Sequence, residues 1–213
     1  MTIVMAAKDE ESGKTYVCFD SCKLVGVAAI AHEDGYIKAV HLSDDIVIGL
    51  SGSARDGNIL FSNPDRLRLK EDMTHEYVVN TVVPAVFELL EEHGCILRNE
   101  NEYKMFGSDI LIATKTQLYQ IHSDGYVPML GKFAAVGAWE AASDCFELLT
   151  GFDIPLISKL LRISDVVCKR VASVDYPIHI ISTDSTVSLK FNDRTELCSY
   201  IAKLETNSIG CCE

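Results

Sequence analysis

The chain has 213 residues, 48% hydrophobic and 23% charged, with 19 basic against 31 acidic side chains and a formal charge of −12. The length suits one substantial core, so residues 1–213 read as a single unit with 194–213 as a peripheral tail. The acidic balance argues against nucleic acid or an anionic membrane as partner, and no apolar run reaches the roughly 20 residues that span a bilayer.

The first elements read as strands. TIVMAA and TYVCFD flank the polar turn EESGK and predict a hairpin. VAAIAH and YIKAVHL follow, joined at Glu33-Asp34-Gly35. IVIGLSG is a short apolar strand ending at Gly52, and SARDGNILF then starts a helix capped by Ser53. The start does not read as an export signal, because Lys8, Asp9, Glu10 and Glu11 interrupt it and no basic segment precedes it. The expectation is a cytoplasmic protein.

HEYVVNTVVPAVFELLEEHG has apolar residues at helical spacing, including Val78, Val82, Val86, Leu89 and Leu90. Pro84 inside that run predicts a kink or a late start, and Gly94 marks the end. Strands return in SDILIATKTQLYQIHSDGYVPML, which holds two or three, with Asp124-Gly125 as a turn signal. FAAVG precedes two helices, AWEAASDCFELL and PLISKLLRISDVVCKRVAS. YPIHIIST is a strand, STVSLKF a candidate for another, and the tail TELCSYIAKLETNSIGCCE reads as only partly helical. Blocks of strands alternating with pairs of helices imply antiparallel sheets with segregated helices. The predicted class is α+β, two stacked sheets with a helical layer outside each.

The eight cysteines form no Cys-x-x-Cys pair and no zinc-like cluster with histidine. Cys18, Cys145 and Cys168 lie in apolar stretches and read as reduced core thiols, while Cys211 and Cys212 sit in the tail. No metal or cofactor is implied.

Chemistry concentrates at the ends of the early strands. A threonine hydroxyl is a poor nucleophile until a base takes its proton. Removal of Met1 would give Thr2 a free α-amine beside its own hydroxyl, with an unperturbed pKa of about 7.7–8.0, so one residue would carry nucleophile and base together. Many chains have threonine second by chance, so this feature alone is weak. Asp20 closes the second strand, where it can orient a hydroxyl and balance a cation or simply make a turn. Lys38, inside YIKAVHL, is either an edge-strand lysine that snorkels or a charge that depresses the amine pKa and stabilises an alkoxide. Gly52, at a strand-to-helix junction, can offer a backbone N–H to an oxyanion. GLSGS also comes close to the nucleophile elbow Gly-x-Ser-x-Gly, but its last position is Ser53, and His179 in PIHIIST reads as a strand histidine.

TIVMA, then FDS, then Gly26, then KAVHLSDDIVIGLSGSARD resembles the N-terminal half of proteasome β-type subunits and of HslV, members of the N-terminal nucleophile (Ntn) hydrolases. Asp20 and Gly26 are six positions apart, and Lys38 and Gly52 fourteen, as in that family. The resemblance implies the four-layer αββα Ntn fold. It implies Thr2 as nucleophile, Asp20 and Lys38 as its assistants, Gly52 as oxyanion donor and Ser173 as a retained supporting serine. It further implies a threonine-type endopeptidase acting on peptide or unfolded protein, a self-compartmentalising homo-oligomeric ring, and an ATPase unfoldase as candidate partner.

Two departures stand out. The family has Gly-Ser-Gly where this chain has Gly137-Ala138-Trp139, so a hydroxyl near the N-terminal amine is missing. Arg170 stands where the family has an acid, three residues before Ser173. These favour, as alternatives, a catalytically silent ring subunit, with a stand-alone Ntn amidohydrolase on a small amide behind it.

Overall fold

The computed structural model describes residues 2–25, 28–31, 37–98 and 100–209. Strands β1 (Ile3–Asp9) and β2 (Lys14–Asp20) form the expected hairpin. β3 (Cys22–Val25), which the sequence did not announce, pairs with β4 (Ala28–Ala31). The expected join at Glu33-Asp34-Gly35, like Gly26, lies outside the described residues. β5 (Ala39–Ser43) pairs with β6 (Ile46–Gly52). Helix α1 (Ala54–Ser62) follows, and Ser53 Oγ accepts the Asp56 N–H as its cap.

Pro84 does not break its helix. α2 (His75–Tyr77), a π-helical turn (Val78–Val82) and α3 (Val83–Glu92) follow without interruption. The Val83 N–H reaches back five residues to the Val78 carbonyl, so the widened turn falls where proline lacks a donor. The end is a Schellman motif: Cys95 N–H donates to the Leu90 carbonyl and Gly94 N–H to that of Glu91.

After two short strands, β7 (Leu97–Arg98) and β8 (Lys104–Met105), come β9 (Ser108–Thr114) and β10 (Leu118–Ile121). Their turn is made by Thr114 with Gln117, while Asp124-Gly125 turns the chain just after β10. β11 (Phe133–Gly137), α4 (Trp139–Thr150), α5 (Leu156–Arg170), β12 (Ile178–Ser182) and β13 (Ser188–Phe191) fall where expected. The tail departs from expectation: α6 is a helix over Arg194–Ile209. Asp193 accepts the Thr195 and Glu196 N–H groups, and Glu196 reaches back to the Asn192 N–H. Leu197 and Ile201 are buried in the core shared with α5.

The strands form two main antiparallel sheets, ordered β11-β1-β2-β12-β13 and β10-β9-β6-β5. Val4, Ala6, Val17, Phe19, Val47, Leu111, Ala134 and Val136 fill the space between them. Ile3, Met5, Ala7 and Cys18 point the other way, onto Ala142, Leu160, Leu161 and Val167 of α4 and α5. On the far side Ile46, Ile48, Leu50, Ile110 and Ile112 meet Leu60, Val86, Leu89 and Leu90 of α1 and α3. The result is the predicted α+β, four-layer αββα sandwich. Alternate residues of β1 serve different cores, which is why its sequence is apolar without a period of two.

Cys18 is buried and Cys145 and Cys168 are half-buried; all are free thiols. Burial pushes the Cys18 and Cys168 thiols up to about 12, which makes them inert. His179 lies on β12, stacked on Phe19 at 5.0 Å, and burial lowers its pKa.

Candidate active site

Strand ends converge at one edge of the sandwich. β2 delivers Asp20 next to the start of β1, since Val4 pairs with Phe19. Asp20 Oδ1 accepts the Ile3 N–H at 2.9 Å, and Oδ2 accepts the Cys22 N–H at 3.1 Å. Lys38, the residue before β5, donates from Nζ to Asp20 Oδ2 at 2.7 Å. Its own carbonyl accepts the Leu50 N–H, which ties it to β6. The pair is sealed, with side-chain exposures of 3% for Lys38 and 0% for Asp20. Burial drives the Lys38 ammonium below the ordinary lysine range, with the Asp20 carboxylate opposing. Burial likewise lifts the Asp20 carboxyl, while Lys38 and the Ile3 and Cys22 amides pull it back. Desolvation is costly for such a pair, so its place beneath the first residues of β1 asks for a use.

Thr2 is half-buried immediately above it. Its carbonyl accepts the Ala138 N–H at 2.8 Å. Ile3 pairs with Gly137 at the end of β11, so the start of β1 is clamped on one side by β2 and on the other by the turn into α4. Gly52 closes β6 with φ +132°, and a Cβ there would collide with the Gly107 carbonyl. Glycine is therefore required, and it leaves an exposed backbone turn at the mouth of the site.

Thr2, Asp20, Lys38 and Gly52 thus come from the ends of β1, β2, β5 and β6. The same sandwich recurs in solved structures at low sequence identity. The Thiobacillus denitrificans protein BPH superposes with a TM-score of 0.71 and 16% identity, over 87% of this chain and 99% of that one. Its complex with epoxomicin superposes at 0.68 with 14% identity, over 87% and 100%. Anbu from Pseudomonas aeruginosa, solved as a helical assembly, gives 0.64 and 12%, over 98% and 94%. Eukaryotic HslV from Trypanosoma brucei gives 0.59 and 15%, over 84% and 98%. The chain has the proteasome β-type, HslV-like Ntn fold. No family model matches it, and no curated protein matches it in sequence.

Within this proteasome-like fold Ser173 lies half-buried in the turn between α5 and β12. Four residues on, just before β12, the Pro177 carbonyl accepts the N–H of Ser21, the residue after Asp20. Ser173 makes no hydrogen bond among the described residues. Arg170 is exposed on the last turn of α5. Among the described residues no cluster of metal-ligating side chains is present, and no helix is long and apolar enough to cross a membrane.

Gly137 was not singled out by sequence as a site residue. It has φ +85°, and a Cβ there would collide with the Thr2 carbonyl and lie 2.7 Å from Ser51 Oγ. Gly137→Ala is therefore expected to destabilise by about 2–4 kcal/mol, the sum of a left-handed penalty and overpacking. The check is the urea midpoint at unchanged m-value; a midpoint equal to the wild type would show that β11 can retreat from Thr2 freely.

Proposed function

We propose that this chain is a cytoplasmic, threonine-type endopeptidase subunit of a homo-oligomeric, proteasome-like ring, with Thr2 as nucleophile once Met1 is removed. The observation that carries the proposal is the buried Lys38–Asp20 pair, bonded to the Ile3 amide one residue from Thr2. An ion pair sealed beneath converging strand ends, with burial shifting both of its groups, is a mark of functional sites.

In this reading the Thr2 α-amine takes the Thr2 Oγ1 proton as the hydroxyl attacks a peptide carbonyl. The nearby Lys38 charge keeps the amine neutral and stabilises the developing alkoxide. Asp20 fixes Lys38 and the strand, Gly52 N–H donates to the oxyanion, and the Ser173 turn supports the amine. Substrates would be peptides or unfolded protein, with an ATPase unfoldase as feeder. The helical assembly of the Anbu neighbour supports self-association.

A silent, wall-forming subunit is the second reading. Ala138 favours it, because the residue nearest the Thr2 carbonyl from α4 offers an N–H but no hydroxyl.

Intact mass combined with a peptide epoxyketone probe separates the two, prompted by the epoxomicin complex of the Thiobacillus neighbour. The expected result is loss of Met1 and one adduct on Thr2. Retained Met1, or an adduct elsewhere, would rule out Thr2 as nucleophile.

A further inference from the structure

A second hydroxyl, besides that of Ser173, lies by the start of β1. Ser51, next to Gly52 on β6, is only 9% exposed. Its direction follows from the layers of the sandwich. Val47 points between the sheets, and the alternation of β6 turns Gly49 and Ser51 the same way. Gly49 faces Val4: a Cβ there would lie 2.5 Å from Val4 Cγ1. One layer nearer the mouth, Ser51 faces the start of β1. The Gly137 Cβ position lies 2.7 Å from Ser51 Oγ and 2.8 Å from the Thr2 carbonyl carbon. The missing side chains of Gly49 and Gly137 let the two sheets approach, and the approach brings the Ser51 hydroxyl towards Thr2.

From α4 nothing competes for that role. Ala138 presents a methyl group, and its N–H is already given to the Thr2 carbonyl. A free α-amine on Thr2 needs an acceptor for its N–H bonds if its lone pair is to point at its own hydroxyl. We propose that Ser51 is that acceptor, a positioning residue on β6 that holds the Thr2 α-amine by a hydrogen bond from amine N–H to Ser51 Oγ. This rests on the reading of Thr2 as an N-terminal nucleophile. It would add a hydroxyl from the opposite sheet to the support of the Ser173 turn, where α4 supplies none.

The test uses the full-length chain, wild type and variants, with a fluorogenic peptide and with NMR of the Thr2 13Cα–1Hα pair, whose shift follows the titration of the unmodified α-amine. Ser51→Ala should lower kcat by about 10-fold, the value of one hydrogen bond, with KM unchanged. A hydroxyl that accepts from the amine favours its charged form. Its loss should therefore lower the amine pKa and move the acid limb of the pH profile to lower pH. Ala138→Ser placed on top of Ser51→Ala should restore kcat and the amine titration, which a packing role for Ser51 would not predict. An amine that titrates identically in wild type and Ser51→Ala overturns the inference, and so does failure of Ala138→Ser to restore it.

The two readings fail separately. If Met1 is absent but no peptide is cleaved, the peptidase proposal falls while the amine titration still decides the role of Ser51. If Met1 is retained, Thr2 has no amine and both fall.

Discussion

Thr2→Ala is expected to bring peptide hydrolysis to background, a loss on the order of 10³-fold or more for removal of a nucleophile, with the unfolding midpoint unchanged. The Thr2 side chain belongs to none of the three apolar clusters of the sandwich. The start of β1 is held by backbone instead: Ile3 N–H on Asp20, and Ala138 N–H on the Thr2 carbonyl. Alanine keeps both bonds, so the stability change should stay within about 0.5 kcal/mol. Full hydrolysis by Thr2→Ala would end the peptidase proposal. Lost hydrolysis together with a lowered midpoint would make Thr2 a structural residue.

Lys38→Met should cost about 10²-fold in kcat, as for loss of one electrostatic group, and should also destabilise the fold. It keeps most of the stem and leaves the Asp20 carboxyl buried without its cation. Breaking a buried pair from one side costs about 3–5 kcal/mol. The pH dependence has a definite sign. Burial already lifts the Asp20 carboxyl, and Lys38 is the largest opposing influence. Without Lys38 the folded-state pKa rises further above the unfolded value of about 3.9. The folded state then binds more protons than the unfolded state, so the variant loses stability as pH rises above about 4 toward the raised value. Its deficit against wild type should be smallest in acid and largest near neutrality. Adding Asp20→Asn removes the stranded charge and keeps an acceptor for the Ile3 N–H. The double variant should recover stability without recovering kcat. Recovery of both, or near-normal kcat in Lys38→Met, would reduce Lys38 to an internal counter-ion.

Much of the architecture could be read locally. Strand runs, the cap at Ser53, the stop at Gly94 and the block order were enough for two sheets between helices. Asp20 and Gly52 were legible because each closes an apolar strand run; Lys38 stood out as a charge inside the run YIKAVHL, and the structure places it just before β5. The cap of α6 was also present in sequence, as Asp193 followed three residues later by Glu196, yet the polar composition of the tail hid it. Pro84 marked an irregularity in its helix, but nothing local told a widened π-turn from a kink or a late start. Ser51 and Gly137 were out of reach for a different reason. Their meaning depends on how closely β11 and β1 approach β6, and that distance is set by Gly49 and Val4, far apart in the chain.

Thr2 is gripped through the one peptide group that follows it, whose C=O accepts the Ala138 N–H and whose N–H is given to Asp20, which leaves its amino end and its side chain without backbone restraint. If the residue reacts, the entropy of fixing the nucleophile has been lost during folding and not at each encounter with substrate. A short peptide that makes few contacts would then meet an assembled attacking group, and discrimination would fall to the walls around it. An attacking group that is always poised cannot be switched off by loosening a loop, so control has to act on what reaches it.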